Sequence, residues 1–453
     1  MAQAHFQSIN PYTQTIIAEY PIQDKHALDK KISQAELTYK SWRKSTFAQR
    51  SELLLKVAEI LKRDTEKYAR IITDEMGKHI REARAEVLKC ATACSYYAQE
   101  AETLLADQIV NTPFKSKVVF DSIGCVFTIM PWNFPFWQVF RQATASLSAG
   151  NVLMLKHAPN VSGCSLAMES IFLEAGFPEG AFQSLIMSVE DIEYVVQHPI
   201  VQAITLTGSE RAGVSVGALA GKHIKKSVLE LGGSDPVLVL DDADLNKAAQ
   251  IAVQSRMQNA GQSCIAAKRF LVTPKTAELF TGKVYDLIQN IKQGNPLDDS
   301  IQMGPMARLD LAEGLEKQLK DSMESGAILQ LGGHRNGANF SPTLLTETDT
   351  QMPVFQEETF GPLASVFIAK DETHMIELAN QSRYGLGATL FSEDRERAER
   401  IAREIESGSV FINSLVRSDA QLPFGGVKKS GYGRELAGFG IRELVNVKTL
   451  VIE

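Results

Sequence analysis

The sequence predicts an α/β protein built on two largely parallel sheets. Three observations carry this. The chain has 453 residues, more than one hydrophobic core holds. From about residue 124 onward, strand-like and helix-like segments alternate, which is the order of βαβ units. The alternation pauses at Gly232-Gly233 and restarts at Pro236, so the chain divides into two α/β units near Gly233.

Each element follows from its pattern. The first hundred residues read as helices. Leu53, Leu54, Val57, Ile60 and Leu61 recur at helical spacing with charges between them. A longer helical pattern covers about 79–106. Cys90 and Cys94 fall four apart within it, but no further Cys or His follows at ligand spacing. They read as packing positions, and no metal is expected. Strand candidates follow at 117–121 and 124–130. Segments 152–155, 183–187, 202–206 and 227–231 are strand-like, separated by helix-like stretches such as 161–174 and 210–220. A second set runs through 236–240, 269–273, 365–369, 388–391 and 409–412. A last strand pattern, 445–451, needs a sheet edge to pair with, for instance on another subunit.

Composition excludes several classes. Apolar residues at 44% and charged residues at 22% are ordinary for a globular protein. A net charge of −7 offers no basic face for nucleic acid. No window approaches the ~18 apolar residues of a membrane span. Met1-Ala2-Gln3-Ala4-His5 has no basic stretch leading into an apolar one. The five cysteines are an odd count without framework spacing, which reads as reduced thiols. A cytoplasmic protein is expected.

The chemistry lies in short runs. Cys264 sits in Gly261-Gln262-Ser263-Cys264, 34 residues after Glu230 in Glu230-Leu231-Gly232-Gly233. The small residues let the backbone come close to the thiol. Glu230 ends an apolar strand, where α/β proteins bind ligands. Pro131-Trp132-Asn133-Phe134-Pro135 holds an amide between prolines and aromatics, rigid enough to donate to an oxyanion. Taken singly, each has a bland counterpart: a core cysteine, a turn glutamate, a turn asparagine. Together they describe a nucleophile, a base and an oxyanion donor for covalent catalysis on a carbonyl carbon. A thiol attacking there works as thiolate, which calls for a lowered pKa. Lys156 follows an apolar strand and can reach a ribose or phosphate. Thr207-Gly208-Ser209 is a strand-to-helix turn suited to a pyrophosphate. No Gly-x-Gly-x-x-Gly fingerprint is present.

These blocks, with Glu357-Glu358-Thr359-Phe360-Gly361-Pro362 and Pro423-Phe424-Gly425-Gly426, resemble the aldehyde dehydrogenase superfamily in order and spacing. The resemblance runs from Asn10-Pro11 to the C-terminus. It implies a Rossmann-like NAD(P)-binding domain (1–106 and 124–232), a catalytic α/β domain (233–439) and a β oligomerisation arm (107–123 and 440–453). The family binds its cofactor without the glycine fingerprint, in keeping with its absence. By resemblance, Cys264 is the nucleophile and Glu230 the base for the deacylating water. Asn133 and the Cys264 backbone amide form the oxyanion hole. Lys156 holds the adenine-side ribose, and Thr207, Gly208 and Ser209 the pyrophosphate. Trp132 and Leu231 contact the cofactor. Glu358 binds the nicotinamide ribose, and Phe360 packs by the nicotinamide. A homodimer or homotetramer is implied.

The likeness is greatest to bacterial NAD(P)-dependent succinate-semialdehyde dehydrogenases. Arg141, eight residues past Asn133 on the helix after Pro135, resembles the arginine that binds the substrate carboxylate there. Arg417, just before Pro423, is a second candidate. Position 258, where some relatives carry an arginine, is Gln258, and Ala266 leaves no second cysteine for a redox switch. NAD-selective relatives often carry a glutamate three residues after the lysine, which repels a 2′-phosphate. Here that position is Pro159, so both NAD and NADP are expected, with Lys156 and His157 favouring NADP. The alternatives are a general short-chain aldehyde dehydrogenase, a CoA-acylating semialdehyde dehydrogenase, a thioesterase and a non-catalytic structural relative. CoA-acylating relatives usually lack the Glu230 equivalent, and a structural relative would have lost catalytic residues.

Overall fold

The computed structural model describes residues 4–453; Met1–Gln3 of the N-terminal segment lie outside the described residues. Two sheets form the body. The first has six strands in the order Gly431–Tyr432, Lys226–Glu230, Val201–Thr207, Cys125–Met130, Val152–His157, Phe182–Ser184. Its five N-terminal strands are parallel, and Gly431–Tyr432 joins antiparallel, setting Gly431 opposite Glu230. The second has seven strands, with Ala267–Val272 and Asp235–Val239 near its centre, and its one antiparallel pair at the edge strand Ile328–Leu331. The central strands Cys125–Met130, Val152–His157 and Asp235–Val239 are apolar along most of their length because helices cover both faces. A third sheet of three strands, Gln108–Asn111, Lys115–Ser122 and Val445–Ile452, is antiparallel.

The chain departs from the sequence expectation at its start. His5–Ile9 and Ile16–Pro21 form a hairpin where helix was expected. Glu75 ties it down, accepting from Ser8 Oγ at 2.6 Å and from the Gly163 and Cys164 amides at 2.8 Å. The C-terminal strand finds its edge within the same chain, on Lys115–Ser122, rather than on another subunit.

One helix positions the site. Ile80–Leu104 buries Ala83, Val87, Cys90, Cys94, Tyr97 and Ala101, a stripe at spacings of three and four. Cys90 and Cys94 are buried free thiols on that stripe. Glu86 lies on it too. Its Oε1 accepts from the Phe136 and Trp137 amides at 2.8 and 3.0 Å, capping the helix Trp137–Ser148, which has no side-chain cap of its own. Its Oε2 pairs with Lys78, whose Nζ stands 3.8 Å from the centre of the Phe134 ring. This cluster fixes the Pro131–Pro135 turn against the rest of the protein. Among the described residues no helix is long and apolar enough to cross a membrane.

Candidate active site

Lys156, Thr207 and Glu230 lie at or next to the carboxyl ends of parallel strands of the first sheet, those of Thr207 and Glu230 being neighbours. The nucleophile loop precedes Ala267–Val272 of the second. The site therefore forms where the two sheets meet, as a switch-point crevice does.

Cys264 lines a cavity with Phe134, Trp137, Arg141, Gln258 and Arg417. The structure thus brings Cys264, Arg141 and Arg417 to one space. Arg141 is 3% exposed, whereas Arg417 is exposed at the mouth. The loop ahead of Cys264 is sharply bent. Asn259 and Ala260 hold φ of 54° and 51°, and Gly261 follows at 72°. A Cβ on Gly261 would lie 2.2 Å from the Gly361 carbonyl oxygen, so only glycine fits. Glu82 secures the turn, both its oxygens accepting from the Asn259 amide at 3.0 and 3.1 Å.

Asn133 is held on three sides. Its Nδ2 donates to the Gln262 carbonyl at 3.1 Å, and its Oδ1 accepts from Gln138 Nε2 at 3.0 Å. Its carbonyl accepts from Asn259 Nδ2 at 2.8 Å. One N–H of the Asn133 amide remains for a ligand, and among the described residues nothing accepts the Cys264 backbone N–H. A rigid donor with a spare hydrogen is what an oxyanion hole needs.

The thiol departs from expectation. Burial pushes the Cys264 thiol up to about 12, while the Lys268 and Arg141 cations pull it down. Cys264 itself is half-buried, so burial and the two cations act on its thiol in opposite directions. Lys268 is the cation that sequence reading missed. Fully buried, its Nζ donates to the Ser263 and Cys264 carbonyls at 2.9 and 2.7 Å and pairs with Glu358 Oε1 at 3.3 Å. Only its place four residues past Cys264 hinted at a role. Lys268→Met is expected to slow Cys264 alkylation by iodoacetamide about tenfold at neutral pH, the loss of about one pKa unit of thiolate stabilisation. Its alkylation profile should also move to higher pH. An unchanged profile would remove Lys268 from thiolate stabilisation.

Glu230 is 2% exposed and does not line the Cys264 cavity. A Cβ on Gly425 would lie 2.7 Å from its Oε1, so glycine there makes room for the carboxyl. Among the described residues neither of its oxygens has a hydrogen-bond partner. Burial raises its carboxyl well above the ordinary range, and the Glu435 charge adds to this; Arg141 and Arg434 oppose it. Glu435, also missed from sequence, sits at 2.8 Å from Arg141 Nε and accepts from Gln142 Nε2 at 2.6 Å. The guanidinium of Arg141 lies 4.8 Å over the Phe424 ring.

The cofactor candidates are placed by their neighbours. The Trp132 and Phe360 rings meet edge to face at 5.8 Å. Ser209 caps the helix Glu210–Lys222, accepting from Ala212 N at 3.3 Å. Gly208 N donates to the Glu230 carbonyl at 2.9 Å, and the Thr207 hydroxyl turns inward to Arg141 Nη2 at 3.5 Å. Leu231 packs its methyls where a Cβ on Gly213 would lie, 2.5 Å away. Glu358 Oε1 accepts from the Gly233 amide at 3.0 Å. Lys156 is 5% exposed, its ammonium lowered by burial and supported by the charge of Glu190. Pro159 is exposed at the start of a short 3₁₀ turn. His157 is turned toward the backbone. Its Nε2 donates to the Pro135 carbonyl at 2.9 Å, its Nδ1 accepts from Ala158 N, and burial lowers it to about 4, so it stays neutral. Among the described residues no group of three or more His, Cys, Asp or Glu is placed to hold a metal ion.

A half-buried thiol in a loop where two parallel sheets meet, tied through the Gln262 carbonyl to a rigid amide, marks an α/β protein with a ligand crevice between its sheets. The profile described as the aldehyde dehydrogenase family matches residues 1–450, and the chain belongs to that family. It is an oxidoreductase acting on aldehydes. It is 42% identical to the Escherichia coli K12 NAD(P)+ succinate semialdehyde dehydrogenase Sad, over 98% of this chain and 97% of that one. It is 40% identical to the Deinococcus radiodurans NADP+ succinate-semialdehyde dehydrogenase, over 98% and 94%. The crystal structure of a succinic semialdehyde dehydrogenase from Streptococcus pyogenes in complex with NADP+ superposes with a TM-score of 0.97. It is 36% identical and covers 99% of each chain.

Proposed function

We propose that this chain oxidises succinate semialdehyde to succinate with NADP or NAD, using Cys264 as nucleophile. The observation that carries the reading is one cavity lined by Cys264, Arg141, Arg417 and Lys89, a thiol and three cations in the same space. The aldehyde carbon bonds to Cys264 Sγ, and Asn133 with the Cys264 amide holds the oxyanion. The thiol proton passes to water in the half-open cavity, and Lys268 and Arg141 stabilise the thiolate that remains. When bound, the nicotinamide accepts hydride from the carbon attached to sulfur. Glu230, whose carboxyl is raised well above the ordinary range by burial, must ionise and turn toward the cavity before it takes a proton from the water that hydrolyses the resulting thioester. Arg141 and Arg417 orient the distal carboxylate.

The residues fit a dinucleotide. Lys156 offers a buried ammonium for the adenine-side ribose. Ser209 and the first turn of its helix, with Gly208 and Thr207, form the pyrophosphate seat. Trp132, Leu231, Glu358 and Phe360 surround the nicotinamide end. The cofactor domain comprises 1–106 and 124–232, and the catalytic domain 233–439. Residues 107–123 and 440–453 form an oligomerisation arm, supporting a homodimer or homotetramer. Ile109, Val447, Val451 and Ile452 are exposed on that sheet. The free thiols suit a reducing cytoplasm.

The test is formation of reduced nicotinamide from succinate semialdehyde and from butanal, with and without CoA. Succinate semialdehyde should be preferred, without need for CoA. Preference for butanal would defeat the substrate assignment, and dependence on CoA would favour the acylating class. The exposed Pro159, in place of a carboxylate, supports dual cofactor use. Pro159→Glu should weaken NADP at least about tenfold more than NAD, since it sets a negative charge against the 2′-phosphate. Equal loss of both would place the 2′-phosphate elsewhere.

A further inference from the structure

We infer that Lys89 is a specificity-determining residue that binds the distal carboxylate of the substrate at the entrance to the Cys264 cavity. This rests on the reading of the substrate as an aldehyde bearing a carboxylate. Two adjoining spaces meet at Lys89. The inner one holds Cys264 and Arg141. The outer one opens between the helix Ile80–Leu104 and the bend at Gln258 and Asn259. Lys89, Phe134, Trp137 and Gln258 line both, so a substrate travelling from the outer space to the thiol passes the ammonium.

The ammonium is held in place without being neutralised. Its Nζ donates to Ser418 Oγ at 3.0 Å and lies 4.2 Å from the centre of the Trp137 ring. Trp137 Nε1 donates to the same hydroxyl at 2.8 Å, which fixes ring and hydroxyl together. A lysine has three N–H donors, so one directed to Ser418 leaves others for a ligand. Among the described residues Lys89 forms no ion pair with a carboxylate. Arg141, by contrast, has Glu435 at 2.8 Å, and that pair is close to neutral overall. Arg417 is exposed, where water and salt screen its charge. Gln258 is neutral where some family members carry an arginine. Lys89 therefore adds to Arg141 and Arg417 a half-buried cation of the same cavity that, among the described residues, has no ion-pair partner. Burial and the Arg141 charge lower its ammonium to about 8, against the weaker pull of Cys90, Glu86 and Asp419. An arriving carboxylate relieves that penalty by pairing with it.

The test compares Lys89→Met and Lys89→Arg with wild type on succinate semialdehyde and butanal. Lys89→Met should lower kcat/KM on succinate semialdehyde about tenfold to a hundredfold, the usual effect of losing a charge-assisted bond, and mainly through KM. Lys89→Arg should restore most of it, and butanal should lose far less. Equal losses on both substrates, or an unchanged KM for succinate semialdehyde, would overturn the assignment. Inhibition of butanal oxidation by succinate separates this claim from the substrate reading. If wild type prefers butanal, the substrate reading fails. Lys89 as an anion seat then stands only if Lys89→Met weakens succinate inhibition about tenfold. Equal inhibition of both proteins would reject it. Thermal unfolding of each variant, with Lys89→Arg as the conservative partner, detects a folding defect.

Discussion

Cys264→Ala abolishes aldehyde oxidation while cofactor binding persists. The expected drop in kcat is roughly 10⁴–10⁶-fold, the scale on which loss of a covalent nucleophile acts. No other cysteine can substitute. Cys90, Cys94, Cys125 and Cys164 are fully buried. Burial pushes all four thiols up, Cys125 to about 12. Their replacement by alanine should alter stability alone. The measurement is nicotinamide reduction in parallel with a cofactor-fluorescence titration. Turnover near wild type in Cys264→Ala would discard the covalent mechanism. Loss of cofactor binding would mean that the substitution had disturbed the Asn259–Gly261 bend instead.

Glu230→Gln should slow steady-state turnover by about 10²–10⁴-fold, the range for a general base. A first-turnover burst of reduced nicotinamide should survive, because acylation and hydride loss precede the step that Glu230 serves. The same substitution should make the protein more stable, and the sign follows from the carboxyl's raised pKa. Between the unfolded value and the raised folded value, the folded protein binds more protons than the unfolded one. Stability therefore falls as pH rises through that window. Glutamine keeps the shape without a charge to bury, so the melting-temperature gain over wild type should grow from acid toward alkaline pH. A gain that shrinks with pH would show that the carboxylate is stabilised by partners, not strained by burial. The pair of results would be a trade of stability for function at one residue.

How far the sequence could be read is clearest at individual residues. Asn133, Glu230 and Cys264 announced themselves because each stands in a short run of prolines, glycines or small residues that restricts the backbone. The N-terminal hairpin was missed. Its strands are short, and its order comes from Glu75, which is distant in sequence. The raised Cys264 thiol was missed for a related reason. A loop of small residues predicts access and close approach, but burial is set by what the rest of the chain lays over the loop.

The order of the blocks, the periodicity of the helices and the alternation of strands are local properties, and they determined the α/β class and the chemical type of each site residue. Partnership was decided by tertiary structure. Glu435 reaches Arg141 because Gly431–Tyr432 returns to pair beside Glu230, closing a gap of about two hundred residues. That return sets the Glu435 carboxylate beside Arg141 and adds to the rise of the Glu230 carboxyl. Lys268 meets Glu358, and Lys89 meets Ser418, through contacts between elements that no local pattern links. Electrostatic effects depend on distance through space and on exclusion of water, neither of which is written in residue spacing. The sequence thus proposed a nucleophile, a base and an amide; the folded chain decided which charges surround them and which cation, among the described residues, has no ion pair.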